Sequence, residues 1–155
     1  MTYLQYKKVS QKSFDELPIF FAFGREQFKQ AMEERGLTEN DTDKIYRLGD
    51  TGGYYLRSDA DIIEAFMNKK DDLPELMKDH DFAVGAFRYE IGNHEYHINY
   101  QGDWDVCSCF CGCKYGSDKS YEDYLKEGGY SDDVIGFYRE AKKKFYKDCD
   151  EKGWG

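Results

Sequence analysis

A chain of 155 residues that holds only 19 Leu, Ile and Val but 14 Tyr, 11 Phe and two Trp has to build its interior from rings. Leu, Ile, Val and Phe together number 30, which with a net charge of −9 borders on compositions typical of disorder. The tyrosines and tryptophans remove that reading, because each aromatic side chain can bury roughly 150 to 250 Å². With only two Pro to interrupt it, the chain is expected to form a single α+β domain over residues 1–155, with an aromatic core.

Tyr3 to Leu17 reads as a polar helix stopped near Pro18, and the apolar run Ile19 to Phe23 as a buried strand. Phe28, Ala31 and Met32 repeat at helical spacing within Gly24 to Arg35, and Gly36 supplies the left-handed residue that closes a helix. Lys44 to Leu48 and Gly53 to Arg57 flank a Gly-rich link and read as a hairpin. Ser58 and Asp61 resemble a capping pair ahead of Ile62, Ile63, Phe66 and Met67. After a reset at Asp71, Asp72 and Pro74, a further helix carries Phe82, Ala83, Ala86, Phe87, Glu90 and Ile91 on one stripe.

From Glu95 the period changes to two. Tyr96, Ile98 and Tyr100 alternate with His97 and Asn99, then come Gln101 and Gly102, then Trp104, Val106, Ser108 and Phe110, which reads as a second hairpin. Ser117 to Lys126 and Ser131 to Cys149 are expected as the last two helices. Asp132 and Asp133 at the start of the final one, with Lys142, Lys143, Lys144 and Lys147 toward its end, follow the helix dipole. The expected sheet is mostly antiparallel, drawn from the 19, 45, 54, 96 and 106 regions.

Met1 to Phe14 carries three lysines and no apolar leader, and the run Leu17 to Phe23 falls far short of the roughly 20 residues that cross a bilayer. The expectation is a soluble, cytoplasmic protein in a reducing compartment, so the five Cys are thiols or metal ligands. A pI near 4.8 disfavours direct nucleic-acid binding, which relies on a basic face, and favours basic partners. From Asp59 to Asp81, eight acids (Asp59, Asp61, Glu64, Asp71, Asp72, Glu75, Asp79 and Asp81) stand against three lysines. They are the candidate binding residues, because such a stretch steers a basic protein toward it; a solvated face that aids solubility is the alternative.

The candidate metal ligands are His94 with Cys107, Cys109, Cys111 and Cys113. On a straight strand the four thiols share a face but span about 20 Å, too far for one zinc ion unless the chain curls at Gly112. In the hairpin register His94 lies across from Cys109, the beginning of a mixed nitrogen and sulfur site. If the helix instead continues, Glu90, His94 and His97 align at i, i+4 and i+7. Small buried cysteines without metal, a zinc-binding regulatory or hydrolytic domain, and a thiol redox module all remain open.

His-Glu-Tyr-His is not the zinc-protease spacing, Gly49 to Gly53 lacks the following helix and Lys of a phosphate loop, and no nucleophile elbow is present. Catalysis is therefore the weaker class, and no catalytic residue is assigned.

Leu17-Pro-Ile-Phe-Phe-Ala-Phe23 with Gln27-Phe28, Leu37-Thr-Glu-Asn-Asp-Thr-Asp-Lys-Ile-Tyr-Arg-Leu-Gly49, Ser58-Asp59 and Asn93-His-Glu-Tyr96 resemble a family of short acidic proteins of phages and mobile elements of gut-type bacteria. The resemblance covers about residues 1–100 and implies no catalytic residue. It implies a host-takeover or anti-defence role, an inhibitor of the anti-CRISPR kind that binds a basic, nucleic-acid-handling host protein.

Overall fold

The computed structural model describes residues 1–98, 100–112 and 119–153. It combines helices with a three-stranded antiparallel sheet, the α+β class expected. The chain divides into two compact units, Ser10–Lys70 and Met1–Val9 with Asp71–Gly155. Helix α1 is Tyr3–Asp15.

The Ser10–Lys70 unit contains β1 (Phe20–Phe21), α2 (Arg25–Glu33), β2 (Ile45–Leu48), β3 (Gly53–Leu56) and α3 (Ala60–Met67). The strand order is β1-β3-β2. The predicted hairpin is present, with Ile45 opposite Leu56 and Leu48 opposite Gly53, while the strand predicted over 19–23 is reduced to two residues that pair with β3. Its core is Phe20, Met32 and Ile45, with Phe28 and Tyr54 packed on it at a ring separation of 5.1 Å. Gly36, at φ 72°, closes α2 as expected. Gly52 serves the hairpin turn twice over: its φ is 78°, and a Cβ there would meet the Phe23 ring at 2.5 Å.

The other unit holds α4 (Leu73–Leu76), α5 (His80–Asn93), α6 (Gly102–Ser108), α7 (Tyr121–Glu127) and α8 (Asp132–Glu151). The side chain of Asp79 caps α5 by accepting from Phe82 N at 2.8 Å, and Ser120 with Asp123 forms a capping box on α7. Helices α5 and α8 pack on each other, and the interior is aromatic as the composition requires. Phe87 lies 4.8 Å from Phe110 and 5.0 Å from Tyr138, which in turn lies 5.0 Å from Tyr121.

The second hairpin is not formed. Tyr96–Ile98 is a 3-10 turn and Gly102–Ser108 is helix α6, so the 96 and 106 regions add no strands. Gly102, Val106 and Cys107 are buried on α6 and Phe110 just beyond its end, a spacing that follows the helix rather than the alternation in the same stretch. Asn99, Cys113 and Ser117 lie outside the described residues. No helix among the described residues is long and apolar enough to cross a membrane.

Candidate metal centre

Helix α5 places an acid on its apolar stripe. Phe87 and Ile91 are fully buried, and Glu90 between them is 1% exposed. A carboxylate in that position requires partners, and the start of α1 supplies them. Tyr3 OH donates to Glu90 Oε1 at 2.7 Å and Lys7 Nζ donates to the same oxygen at 2.9 Å. Tyr3 and Lys7 are one helical turn apart, so a single face of α1 brings both. Burial alone would raise the Glu90 pKa, but these two hydrogen bonds and the Lys7 charge outweigh it and hold the carboxyl below its ordinary value. Burial and the hydrogen bond to Glu90 push the Tyr3 phenol up, so Tyr3 acts as the proton donor.

The second oxygen faces elsewhere. Glu90 Oε2 meets His94 Nε2 and Asn93 Nδ2 at 3.4 Å each, long for hydrogen bonds. His94 occupies the position just past the end of α5, and Cys109 the position just past the end of α6. Cys109 Sγ lies 3.4 Å from His94 Nε2, and the three donor atoms of Glu90, His94 and Cys109 all fall within 4.8 Å of one another. Burial first, and the neighbouring Glu90 second, push the Cys109 thiol up to about 12, so without a cation this sulfur is protonated and a poor nucleophile.

Carboxylate and thiol both converge on Nε2 of the same ring. A nucleophilic triad instead sets its nucleophile on one imidazole nitrogen and its acid on the other. A tetrahedral zinc ion, with donors at about 2.0 to 2.3 Å, holds them roughly 3.3 to 3.6 Å apart, which the 3.4 Å separations to Nε2 match. Lys7 and Tyr3 on Oε1 are the outer partners that orient a ligating carboxylate.

The predicted cysteine cluster is split. A helix turns about 100° per residue, so Cys107 and Cys111 share one side of the α6 segment and Cys109 points to the other. Cys107 is fully buried, and Cys111 Sγ lies within donating distance of two carbonyl oxygens, Cys107 O at 3.1 Å and Tyr124 O at 3.3 Å. Cys113 lies outside the described residues. Of the two arrangements that the sequence posed as exclusive, each holds in part: His94 meets Cys109 without a hairpin, and Glu90 meets His94 at i, i+4. His97 is not with them; its ring lies 5.9 Å from that of Phe145. Tyr3 and Lys7 were not anticipated, although an acid on an apolar stripe signals a cation or hydrogen-bond donor reaching it from elsewhere in the chain.

The eight acids fall into two groups. Asp59, Asp61 and Glu64 lie at or on α3 in one unit. In the other, Asp71 accepts from Tyr6 OH at 2.9 Å and from Leu73 N at 2.9 Å, Glu75 pairs with Lys78, Asp79 caps α5 and Asp81 meets His80. Asp72 occupies the N-cap position of α4.

Residues 2–122 match a family of unknown function, DUF7659. The chain belongs to this family. The match takes in Glu90, His94 and Cys109, and extends through the cysteine segment that the resemblance over the first 100 residues left aside. Comparison with curated proteins and with solved structures finds no match.

Proposed function

We propose that this DUF7659 chain is a zinc-binding regulatory module whose ion is held by Glu90, His94 and Cys109. The supporting observation is the convergence of a carboxylate oxygen and a sulfur on one imidazole nitrogen at 3.4 Å each. Three protein donors among the described residues leave a fourth tetrahedral position for a further ligand. The ligands sit at the ends of α5 and α6, and Glu90 is clasped from behind by α1, so the ion ties three segments together. Its role in this reading is to set the stability and presentation of that unit. The test is elemental analysis after equilibration with equimolar zinc, with cobalt(II) absorbance as a second readout. One equivalent of metal and a sulfur-to-cobalt charge-transfer band, both lost in Cys109→Ser and His94→Ala and kept in Cys111→Ser, are expected. Metal-free wild type, or equal retention by all variants, overturns the reading.

A second reading keeps the acidic charge, in a phage-type anti-defence protein that binds a basic, nucleic-acid-handling host protein. The observation that favours it is α3, where Asp61 and Glu64 stand beside Ile62 and Met67, which are 53% and 66% exposed. Acids interleaved with exposed apolar side chains suit a partner that is both basic and amphipathic. Replacing Asp61 and Glu64 by Lys should abolish capture of such a partner and its salt dependence; unchanged capture ends this reading.

A further inference from the structure

The Ser10–Lys70 unit of this acidic chain contains a pocket with the opposite sign. A cavity of about 370 Å³ is lined by Arg35, Lys44 and Arg57 together with Leu37, Leu56, Asp43 and Ser58. Its size falls within the range of small-molecule sites, roughly 300 to 1,000 Å³. Both guanidinium groups are pre-set by aromatic faces: Arg35 Cζ lies 3.9 Å from the centre of the Phe20 ring and Arg57 Cζ 4.5 Å from that of Tyr46. Arg35 Nη1 is further fixed by donating to Ala31 O at 2.8 Å. Among the described residues neither arginine has a carboxylate within ion-pairing distance, nor does Arg47, whereas Arg25, Arg88 and Arg139 pair with Glu39, Asp148 and Glu122. In a chain of net charge −9, two stacked guanidiniums without a counter-ion facing one cavity are a specific arrangement.

We propose that this cavity binds a nucleoside monophosphate or a phosphate monoester of similar size. Three cations and one acid line the cavity, and because Lys44 already pairs with Asp41 at 3.8 Å the cationic excess is carried by the two guanidiniums, the groups that would meet a phosphate monoester, which carries about −1.5 to −2 at pH 7. Planar guanidiniums match phosphate oxygens two at a time. Leu37 and Leu56 offer a surface for a flat apolar body, and Asp43 accepts from a ligand hydroxyl or amine. This site is independent of the zinc reading, since no residue is shared.

The probe is adenosine 5′-monophosphate, followed by titration calorimetry and by the NMR resonances of the arginine Nε–H groups. Adenosine, inorganic phosphate and benzoate are the comparison arms. The nucleotide should bind at least 10-fold more tightly than any of the three and shift the Arg35 and Arg57 signals. Arg57→Gln and Arg35→Gln should each weaken it 10-fold or more, while Asp43→Asn should tighten inorganic phosphate by removing the repelling charge. The circular dichroism spectrum of each variant separates lost binding from lost fold. Absence of nucleotide binding, benzoate binding as tight as the nucleotide, or affinity unchanged in folded Arg57→Gln overturns the proposal.

Discussion

His80 holds a carboxylate on each ring nitrogen, Asp81 Oδ1 on Nδ1 and Glu140 Oε2 on Nε2, both at 2.8 Å. Two acceptors demand two N–H donors, so the contacts favour the protonated ring and raise its pKa above 6.5, Asp81 contributing more than Glu140. A folded pKa above the unfolded one contributes stability that is full below 6.5 and is lost as pH rises through the folded value. The expected outcome is a decline in melting temperature across that window that is absent in His80→Gln; identical pH profiles would remove the effect. Glu90 poses a different problem. It is buried, and Glu90→Gln takes the negative charge away from the Lys7 ammonium and leaves Tyr3 OH with a weaker acceptor. The cost in metal-free protein is expected at about 1 to 3 kcal/mol, measured by urea unfolding.

One carboxylate of α6 gathers three donors, two of them on α8. Asp103 Oδ1 accepts from Tyr96 OH at 2.9 Å, from Tyr138 OH at 2.6 Å and from Lys142 Nζ at 3.2 Å. Lys142 Nζ also lies 4.6 Å from the Tyr121 ring centre and 5.1 Å from that of Tyr96, so it adds cation–π attraction to the ion pair. Tyr138 is fully buried, and Asp103→Ala strands its hydroxyl. The loss should be about 2 to 3 kcal/mol, larger than that of Tyr138→Phe, which removes donor and demand together. On α5, Asp79→Ala removes the N-terminal cap and should cost about 1 kcal/mol. Equal losses for Asp103→Ala and Tyr138→Phe in urea unfolding would contradict the hub reading.

For the whole molecule, the two units predict two separable ligand responses. Glu90, His94, Cys109, Tyr3 and Lys7 all belong to the unit formed by Met1–Val9 and Asp71–Gly155, and the cationic cavity belongs to Ser10–Lys70. Zinc at about 100 times its dissociation constant should stabilise by about 2.7 kcal/mol. Hydrogen-exchange protection on adding zinc should concentrate in α5 and α6, and on adding the nucleotide in residues 35–58. Protection by zinc in the 35–58 segment instead would place the ion elsewhere.

The fold class, the first hairpin, α2 with its Gly36 stop, α5 and the charge-ordered last helix were legible because each carries one period and its own end signals. The 95–110 stretch carries two periods at once, and local pattern has no means to choose between them; the folded chain buries Gly102, Val106 and Cys107 on α6 and Phe110 just past its end. That choice also decided the site. The sequence by itself determined which chemistry was in supply, namely a histidine beside a run of thiols, an acid misplaced on an apolar stripe, and an interior that had to be aromatic. Only the tertiary structure decided that Cys109 meets His94, and that Tyr3 and Lys7 reach Glu90 from more than eighty residues away. Such contacts depend on how helices pack, a property of the assembled surfaces that no local spacing encodes.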